Sequence, residues 1–455
     1  MTADSDGLSA AEIALAVAGR KLSALRVTEA ALARIAKHDP VLNSFTDVTA
    51  DRARAKARAV DAAVTAGQNA GPLAGVPFAV KNLFDVQGLP TRAGSKINRD
   101  LKPSPRDATL IERMEAAGAV LVGALNMGEY AYDFTGENVH DGPSRNPHDV
   151  TRMTGGSSGG SGGAVGGGLV PLALGSDTNG SIRVPSSLCG IFGLKPTYGR
   201  LSRARSFPFV FSLDHLGPFA RHVGDLALAY DAMQGPDPDD AACTTRPAEP
   251  VTPMLAQEIG DLRVAIAGGY FQNNVFPEAS EAVARIARAL GTTRTVEIPE
   301  AARARAAAYV ITATEGASLH LDRLRKRPDD FDPAVRDRLL AGAMIPAALV
   351  DRAQKFRRWY RARCWSCSNR SMWLSRRQPL ASRRNWGRRH SCSTASNWRC
   401  APIWVSTPSR FPSSGFRWSR CPFRCSRCRS ACRSLPHPGA KISRCAWLSR
   451  WSAAA

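Results

Sequence analysis

The chain has 455 residues, of which 44% are hydrophobic and 22% charged, the proportions of a soluble globular protein. Its formal net charge is +22. No segment approaches the roughly 20 consecutive apolar residues of a membrane span, and the polar, acidic start of the chain does not have the pattern of a secretory signal. The composition argues against a membrane-spanning protein, and we expect a cytoplasmic one.

The N-terminal region predicts helices. Residues 8–38 have the apolar spacing of two consecutive helices. Ser9 and Glu12 stand three positions apart at the start of the first helix, as in a capping box, and Thr28 is a candidate cap for the second. Residues 50–67 predict a third helix with a polar face.

Short apolar strands and helices alternate along the rest of the body. The predicted elements are a strand within 75–88, a helix over 107–117, strands over 119–126, 169–176 and 262–270, and a helix over 278–291. We find no internal repeat. This alternation predicts an α/β fold.

A run rich in glycine and serine, TGGSSGGSGGAVGGG, covers residues 154–168. Such a composition is typical of flexible linkers, but here an apolar strand and the sequence GSDTNGSIRVPSS follow at once. A phosphate-binding loop would require a lysine in the pattern G-x-x-x-x-G-K-[ST], and the run has none. The run is therefore predicted to belong to a structured site.

The composition changes abruptly after Arg363. The residues beyond it contain 18 of the 61 Lys and Arg and none of the 39 Asp and Glu, so the first 363 residues carry a net charge of only +4. Nine of the 11 Cys and eight of the nine Trp also lie in this tail, which has no helical or strand period. We interpret the tail as an out-of-frame translation that replaced the native C-terminus, and we expect it to be irregular. Translating the alternative frames from codon 363 tests this interpretation.

Three other interpretations of the tail are less favoured. Its charge is that of a nucleic-acid-binding segment, although Trp and Cys are unusual in such tails. Its cysteines include spacings typical of metal ligands, at Cys364 and Cys367 and at Cys421, Cys425, Cys428 and Cys432. So many cysteines in one short segment produce such spacings by chance. A disulfide framework conflicts with a cytoplasmic location.

Four long stretches of the chain resemble the amidase signature family. They are GVPFAVKNLFDVQGLPTRAGS at 75–95, LNMGEYAYDFTGENVHDGPSRNP at 125–147, the Gly/Ser run with its continuation at 155–203, and SLDHLGPFARHV at 212–223. The resemblance extends from about residue 8 to about residue 363. It implies an α/β fold with a mixed central β-sheet that is covered by helices on both faces.

The resemblance also implies the roles of three residues. The family's general base is the lysine of the V-K-N segment, which is Lys81 in this chain. Its bridging serine, held by a cis peptide bond, corresponds to Ser157, and its nucleophile is the serine of G-S-I-R, which is Ser181. The spacing of 24 residues between the two serines is that of the family. Ser158, next to the bridging position, is the less favoured alternative.

Physical chemistry supports a lysine base at position 81. A serine hydroxyl is a poor nucleophile unless a base removes its proton, and the ordinary lysine pKa of about 10.4 is too high for that role. Burial disfavours the charged form and lowers the pKa. Because Lys81 lies in the largely apolar segment FAVKNLF, we expect it to be buried. The alternative is a surface lysine on an edge strand.

The oxyanion hole that the resemblance implies consists of the backbone N–H groups of Thr178, Asn179 and Gly180. Asn179 departs from the family pattern, in which glycine is commoner, but asparagine tolerates left-handed backbone, and its side chain would narrow the pocket. Arg183 either holds a substrate carboxylate or has a structural role. Tyr132 is a candidate pocket residue.

Within the family, the segments around Ser181 and Tyr132 resemble hydrolases that release ammonia from biuret or 1-carboxybiuret during cyanuric acid degradation. The resemblance implies a small urea-like substrate, an acyl-enzyme, no cofactor and no metal. One alternative is the glutamine-hydrolysing A subunit of a tRNA-dependent amidotransferase, which takes its ammonia from glutamine. Another, from a different class, is a non-catalytic basic binding protein.

The resemblance implies a protein partner as well. Related enzymes pair with a small helical subunit that resembles an amidotransferase C subunit, so we expect a homodimer within a hetero-oligomer, and neither nucleic acid nor membrane as partner. We expect three regions: a helical N-terminal segment over 1–70, the catalytic domain over 71–363, and the aberrant basic tail over 364–455.

Overall fold

The N-terminal helices share one hydrophobic core with the central sheet. The computed structural model describes residues 7–258, 263–273, 275–368, 372–374, 403–405 and 416–420. Ile13 and Val17 are buried in the same cluster as Val80 of the central sheet. The backbone N–H of Ala11 also donates to the carboxylate of Asp225 (3.0 Å). The N-terminal segment therefore packs directly on the catalytic part of the chain.

The helices follow the apolar spacing of the sequence. In chain order they are α1 (Ala10–Ala18), α2 (Ala24–Leu42), α3 (Ala50–Thr65), α4 (Thr109–Ala116), α5 (Gly159–Gly166), α6 (Arg183–Leu188), α7 (Val223–Met233), α8 (Pro277–Ala289), α9 (Ala301–Lys326), α10 (Pro333–Ala343) and α11 (Ala347–Ser368). The predicted capping box of α1 is confirmed, since Ser9 and Glu12 each accept a hydrogen bond from the backbone N–H of the other. In the described ranges, no helix has the length and apolarity needed to cross a bilayer.

The strands form a mixed sheet and two smaller ones. They are β1 (Phe45–Val48), β2 (Pro77–Lys81), β3 (Val120–Leu125), β4 (Arg145–Asn146), β5 (Asp149–Met153), β6 (Leu172–Asp177), β7 (Phe192–Lys195), β8 (His215–Ala220), β9 (Val264–Ala267), β10 (Thr295–Val296), β11 (Met372–Leu374), β12 (Ile403–Val405) and β13 (Phe416–Arg420). The large sheet has the order β1-β3-β2-β6-β8-β7-β13-β12, and β3, β2 and β6 run parallel at its centre. The smaller sheets are β10-β9-β11 and β4-β5. The expected α/β fold with a mixed central sheet is confirmed.

The predicted cap of the second helix is wrong. α2 begins at Ala24, and its N-cap is Ser23, whose Oγ accepts a hydrogen bond from the backbone N–H of Arg26 (3.3 Å). Thr28 is buried inside the helix. The earlier start is stabilised by Asp61 of α3, which accepts hydrogen bonds from Ser23 and Ala24. This tertiary contact supplies a second acceptor at the helix start that local spacing does not reveal.

Two elements that carry predicted site residues agree with the sequence analysis. The strand predicted within 75–88 is β2, which ends at Lys81. The Gly/Ser run is not a linker, because much of it forms α5, whose residues from Gly159 to Val165 are all buried. Small residues permit this helix to pack inside the molecule, next to β2 and β6.

The region after Arg363 is described in part. α11 continues to Ser368, β11 pairs in parallel with β9, and β13 pairs antiparallel with β7. These strands differ from the irregular structure expected for the tail, because they add to the edges of sheets that the body provides. Cys364 is buried in a small apolar cluster with Ala265 and Phe271. The cysteine set from Cys421 to Cys432 lies outside the described residues.

Candidate active site

Lys81 lies at the end of β2, inside the molecule. Its side chain is fully buried, as its apolar segment predicts, and its Nζ donates to Ser157 Oγ (2.7 Å) and to Ser176 Oγ (2.9 Å). Ser176 lies on β6, the parallel neighbour of β2. The sheet therefore brings the lysine to one hydroxyl, and the Gly/Ser run brings the other.

Burial controls the charge of this lysine. It lowers the pKa of Lys81 to about 7, while the negative charges of the nearby carboxylates, Asp214 above all, oppose that shift. At neutral pH an appreciable fraction of such lysines is neutral, and a neutral amine has a lone pair that accepts a proton. Lys81 thus has the protonation behaviour that a general base requires.

The two adjacent serines of the Gly/Ser run have different partners. Ser157 follows a cis peptide bond and contacts Lys81. Ser158 Oγ donates instead to the backbone oxygen of Ser176 (3.2 Å). Ser158 therefore helps to fix the strand that carries the second partner of Lys81, and Ser157 is the serine in contact with the amine.

Ser181 lies in the loop between β6 and α6, and a buried ion pair closes this loop. Asp177 accepts hydrogen bonds from the Nε and Nη2 atoms of Arg183 (2.8 and 2.7 Å). It also accepts from the backbone N–H groups of Gly180 (2.9 Å) and Ile182 (3.1 Å). Gly180 has φ +142°, a conformation that residues with side chains rarely adopt. The loop is thus held on both sides of Ser181.

The ion pair engages two of the five N–H donors of the Arg183 side chain, one on Nε and one on Nη2. Burial alone would raise the pKa of Asp177, but the charge and hydrogen bonds of Arg183 outweigh it and hold the pKa well below its usual range. The side chains of both residues are almost completely buried. Of the two roles considered for Arg183, this geometry supports the structural one.

The backbone N–H groups around Ser181 differ in availability. In the described part of the chain, those of Thr178, Asn179 and Ser181 donate to no protein acceptor, whereas that of Gly180 is committed to Asp177. The Ser181 hydroxyl also makes no hydrogen bond with a described residue. Amide donors are therefore free beside an uncommitted hydroxyl, and one of them belongs to Ser181 itself, which the sequence did not indicate.

The side chains of the same loop are anchored outside it. Thr178 Oγ1 donates to Asp214 (2.5 Å), and Asn179 Nδ2 donates to Oγ1 of Thr312 on α9 (2.7 Å). Asp214 in turn accepts hydrogen bonds from the backbone N–H groups of the segment before it. Asn179 is therefore engaged by a helix that is remote in sequence.

A cavity of about 330 Å³ adjoins the lysine site at Ser176. Its wall includes Ala131, Phe207 and Phe209. The candidate pocket residue Tyr132 does not line this cavity, but its ring lies 4.8 Å from that of Phe209. Tyr132 therefore supports the wall rather than forming it.

Several site residues were not predicted from the sequence. Ser176 and Asp177 lie within the same motif as Ser181, so their position was a usable signal. Asp214 lies in the stretch 212–223 that resembles the family, but nothing in the sequence indicated its contact with Thr178. Thr312 had no signal, because it reaches the loop from a remote helix. Among the described residues, no group of three His, Cys, Asp or Glu side chains is placed to hold a metal ion.

Comparison with known proteins identifies the family. The family model described as Amidase matches residues 26–366. The chain belongs to the amidase signature family. It is accordingly an enzyme that hydrolyses linear amide C–N bonds, as the sequence predicted.

Individual relatives show which members of the family the chain resembles. The chain is 56% identical over 350 residues to AtzE, which belongs to the 1-carboxybiuret hydrolase of Pseudomonas sp. (strain ADP), and the match covers 77% of each chain. It is 40% identical over 384 residues to the A subunit of the glutamyl-tRNA(Gln) amidotransferase of Azotobacter vinelandii (strain DJ / ATCC BAA-1303), covering 78% of this chain and 79% of the relative. A solved structure described as a vestigial protein complex that reveals the origins of an s-triazine catabolic enzyme superposes with a TM-score of 0.83 and 46% identity, covering 92% and 96% of the two chains. The predicted likeness to carboxybiuret hydrolases is confirmed.

The two alternative roles of Arg183, structural or substrate-binding, predict different outcomes for the Arg183→Ala variant. Removing one partner of a buried ion pair leaves an uncompensated charge, so we expect the free energy of unfolding to fall by about 3–5 kcal/mol. Urea or thermal unfolding of the purified variant measures this loss. Arg303→Ala, which removes an exposed partner of Glu300, is the control and should unfold like the parent. An unchanged stability with a raised KM would instead assign Arg183 to the substrate.

Proposed function

We propose that the chain hydrolyses a small urea-like amide, 1-carboxybiuret or biuret, and releases ammonia. The observation that carries this proposal is the buried contact between Lys81 Nζ and Ser157 Oγ, 2.7 Å apart, beside the loop of Ser181. The substrate class rests on the 56% identity to a chain of a 1-carboxybiuret hydrolase. Ammonia assays on both compounds distinguish the two substrates.

The proposed reaction passes through an acyl-enzyme. Ser181 Oγ attacks the substrate carbonyl while its proton passes to Ser157, and the proton of Ser157 passes to neutral Lys81. The C–N bond then breaks, and the leaving nitrogen receives the proton back from the same relay and departs as ammonia. Water, activated in the same way, releases the acyl group from Ser181. The contact between Ser157 and Ser181 forms in the substrate complex, where catalytic hydrogen bonds tighten.

The developing oxyanion is stabilised by backbone N–H groups of the Ser181 loop. Those of Thr178, Asn179 and Ser181 are the uncommitted donors, while Gly180 supplies the backbone conformation that aims them. Donors placed in this way are typically worth about 3–4 kcal/mol of transition-state stabilisation. No metal or cofactor takes part in this scheme.

Ser181→Ala should abolish ammonia release from 1-carboxybiuret and biuret, because it removes the nucleophile. Ser157→Ala and Lys81→Ala should each reduce kcat by orders of magnitude, since they interrupt the proton relay. Ser158→Ala is the matched control: it removes a neighbouring buried hydroxyl that contacts only backbone, and it should retain most activity. Coupled ammonia assays on both substrates give these rates, and thermal melts verify folding. Near-parental activity of Lys81→Ala would refute the relay.

The rate should depend on the protonation of Lys81. Its pKa is lowered to about 7, and only the neutral amine accepts a proton, so activity is lost as the pH falls through 7. We expect kcat/KM to decrease about tenfold for each pH unit below that point. Ser176→Ala should move this limb to lower pH, because the Ser176 hydroxyl accepts a hydrogen bond from Lys81 and favours its charged form. A kcat/KM that stays constant through pH 7 would contradict the assignment of Lys81.

The A subunit of an amidotransferase is the second candidate, favoured by the 40% identity to such a protein. It would share the relay but take glutamine as substrate. Ammonia release from glutamine that exceeds the release from 1-carboxybiuret would select this function, and the reverse order would select the first.

We also propose that the chain works with a small helical subunit that resembles an amidotransferase C subunit, in a hetero-oligomer built on a homodimer. The relatives support an assembly, since two of them are named as subunits and one solved structure is described as a complex. Co-expression with a short neighbouring reading frame should yield one co-eluting species in size-exclusion chromatography. The chain expressed alone is the control, and full activity of that chain as a monomer would argue against the partner.

A further inference from the structure

One face of α9 lies against the catalytic part of the chain. Thr312, Glu315 and Gly316 follow the i, i+3, i+4 spacing of a single helix face. Thr312 is buried and accepts the hydrogen bond from Asn179, while Glu315 accepts from the backbone N–H and the hydroxyl of Ser212 (3.1 and 2.6 Å). Gly316 is close enough to Phe209 that an added Cβ would be 3.0 Å from its ring.

These contacts converge on the loop of Ser181. Asn179 is held directly by Thr312. Thr178 is held through Asp214, which lies two residues after Ser212. Arg357 of α11 binds the same segment, because its guanidinium donates a hydrogen bond to the backbone oxygen of Ser212 (2.6 Å). Two neighbouring residues of the loop are thus tied to α9, one directly and one through the segment that α9 and α11 hold.

We propose that Thr312 is a positioning residue for the oxyanion hole: through its hydrogen bond to the Asn179 side chain, α9 fixes the direction of the N–H groups that receive the oxyanion. The backbone N–H of Asn179 is one of the uncommitted donors. The side chain of the same residue holds it in place through the hydrogen bond to Thr312. Since the reaction and the oxyanion hole are those of the proposed function, this inference rests on that function.

The side chain at position 179 makes this arrangement possible. A glycine at this position would have no side chain for a remote helix to hold. Asparagine provides a donor that Thr312 accepts at 2.7 Å. A loop that is preorganised toward the oxyanion costs no reorganisation in the transition state. The pair Asn179–Thr312 is therefore expected to affect kcat rather than KM.

Thr312→Val tests the inference, because it keeps the shape of the side chain and removes only the hydroxyl. We expect kcat to fall by about three- to tenfold with KM unchanged, in line with the loss of one hydrogen bond of ordinary strength. Thr312→Ser, which restores the hydroxyl, should recover the rate. In a double-mutant cycle, Thr312→Val should have no further effect once Asn179→Gly has removed the partner. Thr314→Val is the matched control, since Thr314 Oγ1 bonds only to carbonyls of its own helix.

Two further measurements make the result independent of the substrate. The rate at which a fluorophosphonate probe labels Ser181, and the amide hydrogen exchange of a peptide spanning 176–183, both report on the loop. Thr312→Val should slow the labelling and speed the exchange, while Thr314→Val should change neither. The inference is overturned if the two variants behave alike in these assays. Failure of the proposed function has a different signature, namely labelling that persists in Ser181→Ala or no amide hydrolysis by the parent, and hydrogen exchange then still decides the role of Thr312.

Discussion

The buried ion pair between Asp177 and Arg183 closes the loop on which the proposed chemistry depends. Asp177 ends a central strand, Arg183 begins a helix, and Ser181 lies between them. Because the pair is out of water, neither charge tolerates loss of the other. The same carboxylate also binds the amide of Gly180, so one side chain sets both the ends and the interior of the loop. The backbone on both sides of Ser181 is held by that constraint.

A second constraint is the burial of Lys81. An ammonium in this position would lack water, and its two partners are neutral hydroxyls, so burial favours the amine. The carboxylates of Asp177 and Asp214 prevent the shift from going further. Asp177 thus takes part in both constraints. It fixes the loop of the proposed nucleophile and, with Asp214, keeps burial from lowering the pKa of Lys81 further. Asp177 can act on both because it ends β6, the parallel neighbour of β2, which ends at Lys81.

How far the sequence predicts this site depends on how far apart the partners are in the chain. Lys81, Ser157 and Ser181 were singled out because each lies in a long characteristic run, and their catalytic roles stay a prediction. The apolar neighbours of Lys81 indicated its burial, which is confirmed. The role of Arg183 was left open, although its partner Asp177 lies only six positions away, because a substrate carboxylate and a carboxylate of the protein both satisfy a guanidinium. Thr312 could not be found, since it lies 133 positions from Asn179 on a helix without any catalytic signature.

The same reasoning explains the errors in the fold. The start of α2 was misplaced because the acceptor that stabilises it, Asp61, belongs to another helix. An irregular tail was expected because its composition has no strand period, and for the residues outside the described ranges this stays a prediction. The strands that are described there differ from it, because a chain added to the edge of an existing sheet needs only backbone hydrogen bonds. β13 pairs with β7 in this way. Pairing of this kind depends on the template strand more than on the residues that are added.

The position of the composition change determines what the tail can affect. The hydrogen bonds described for the site and its loop lie between Lys81 and Arg357, within the range 26–366 that the family model matches. The tail nevertheless reaches one element of the site, because β13 packs on α6, the helix that begins with Arg183. The abnormal residues begin after the last of these contacts. The described strands of the tail cover the edge of β7, at the end of the large sheet away from β2, and one edge of β9. An exposed edge strand promotes association between chains, so an out-of-frame C-terminus endangers solubility and the outer edge of the sheet first, and it reaches the loop of Ser181 through α6.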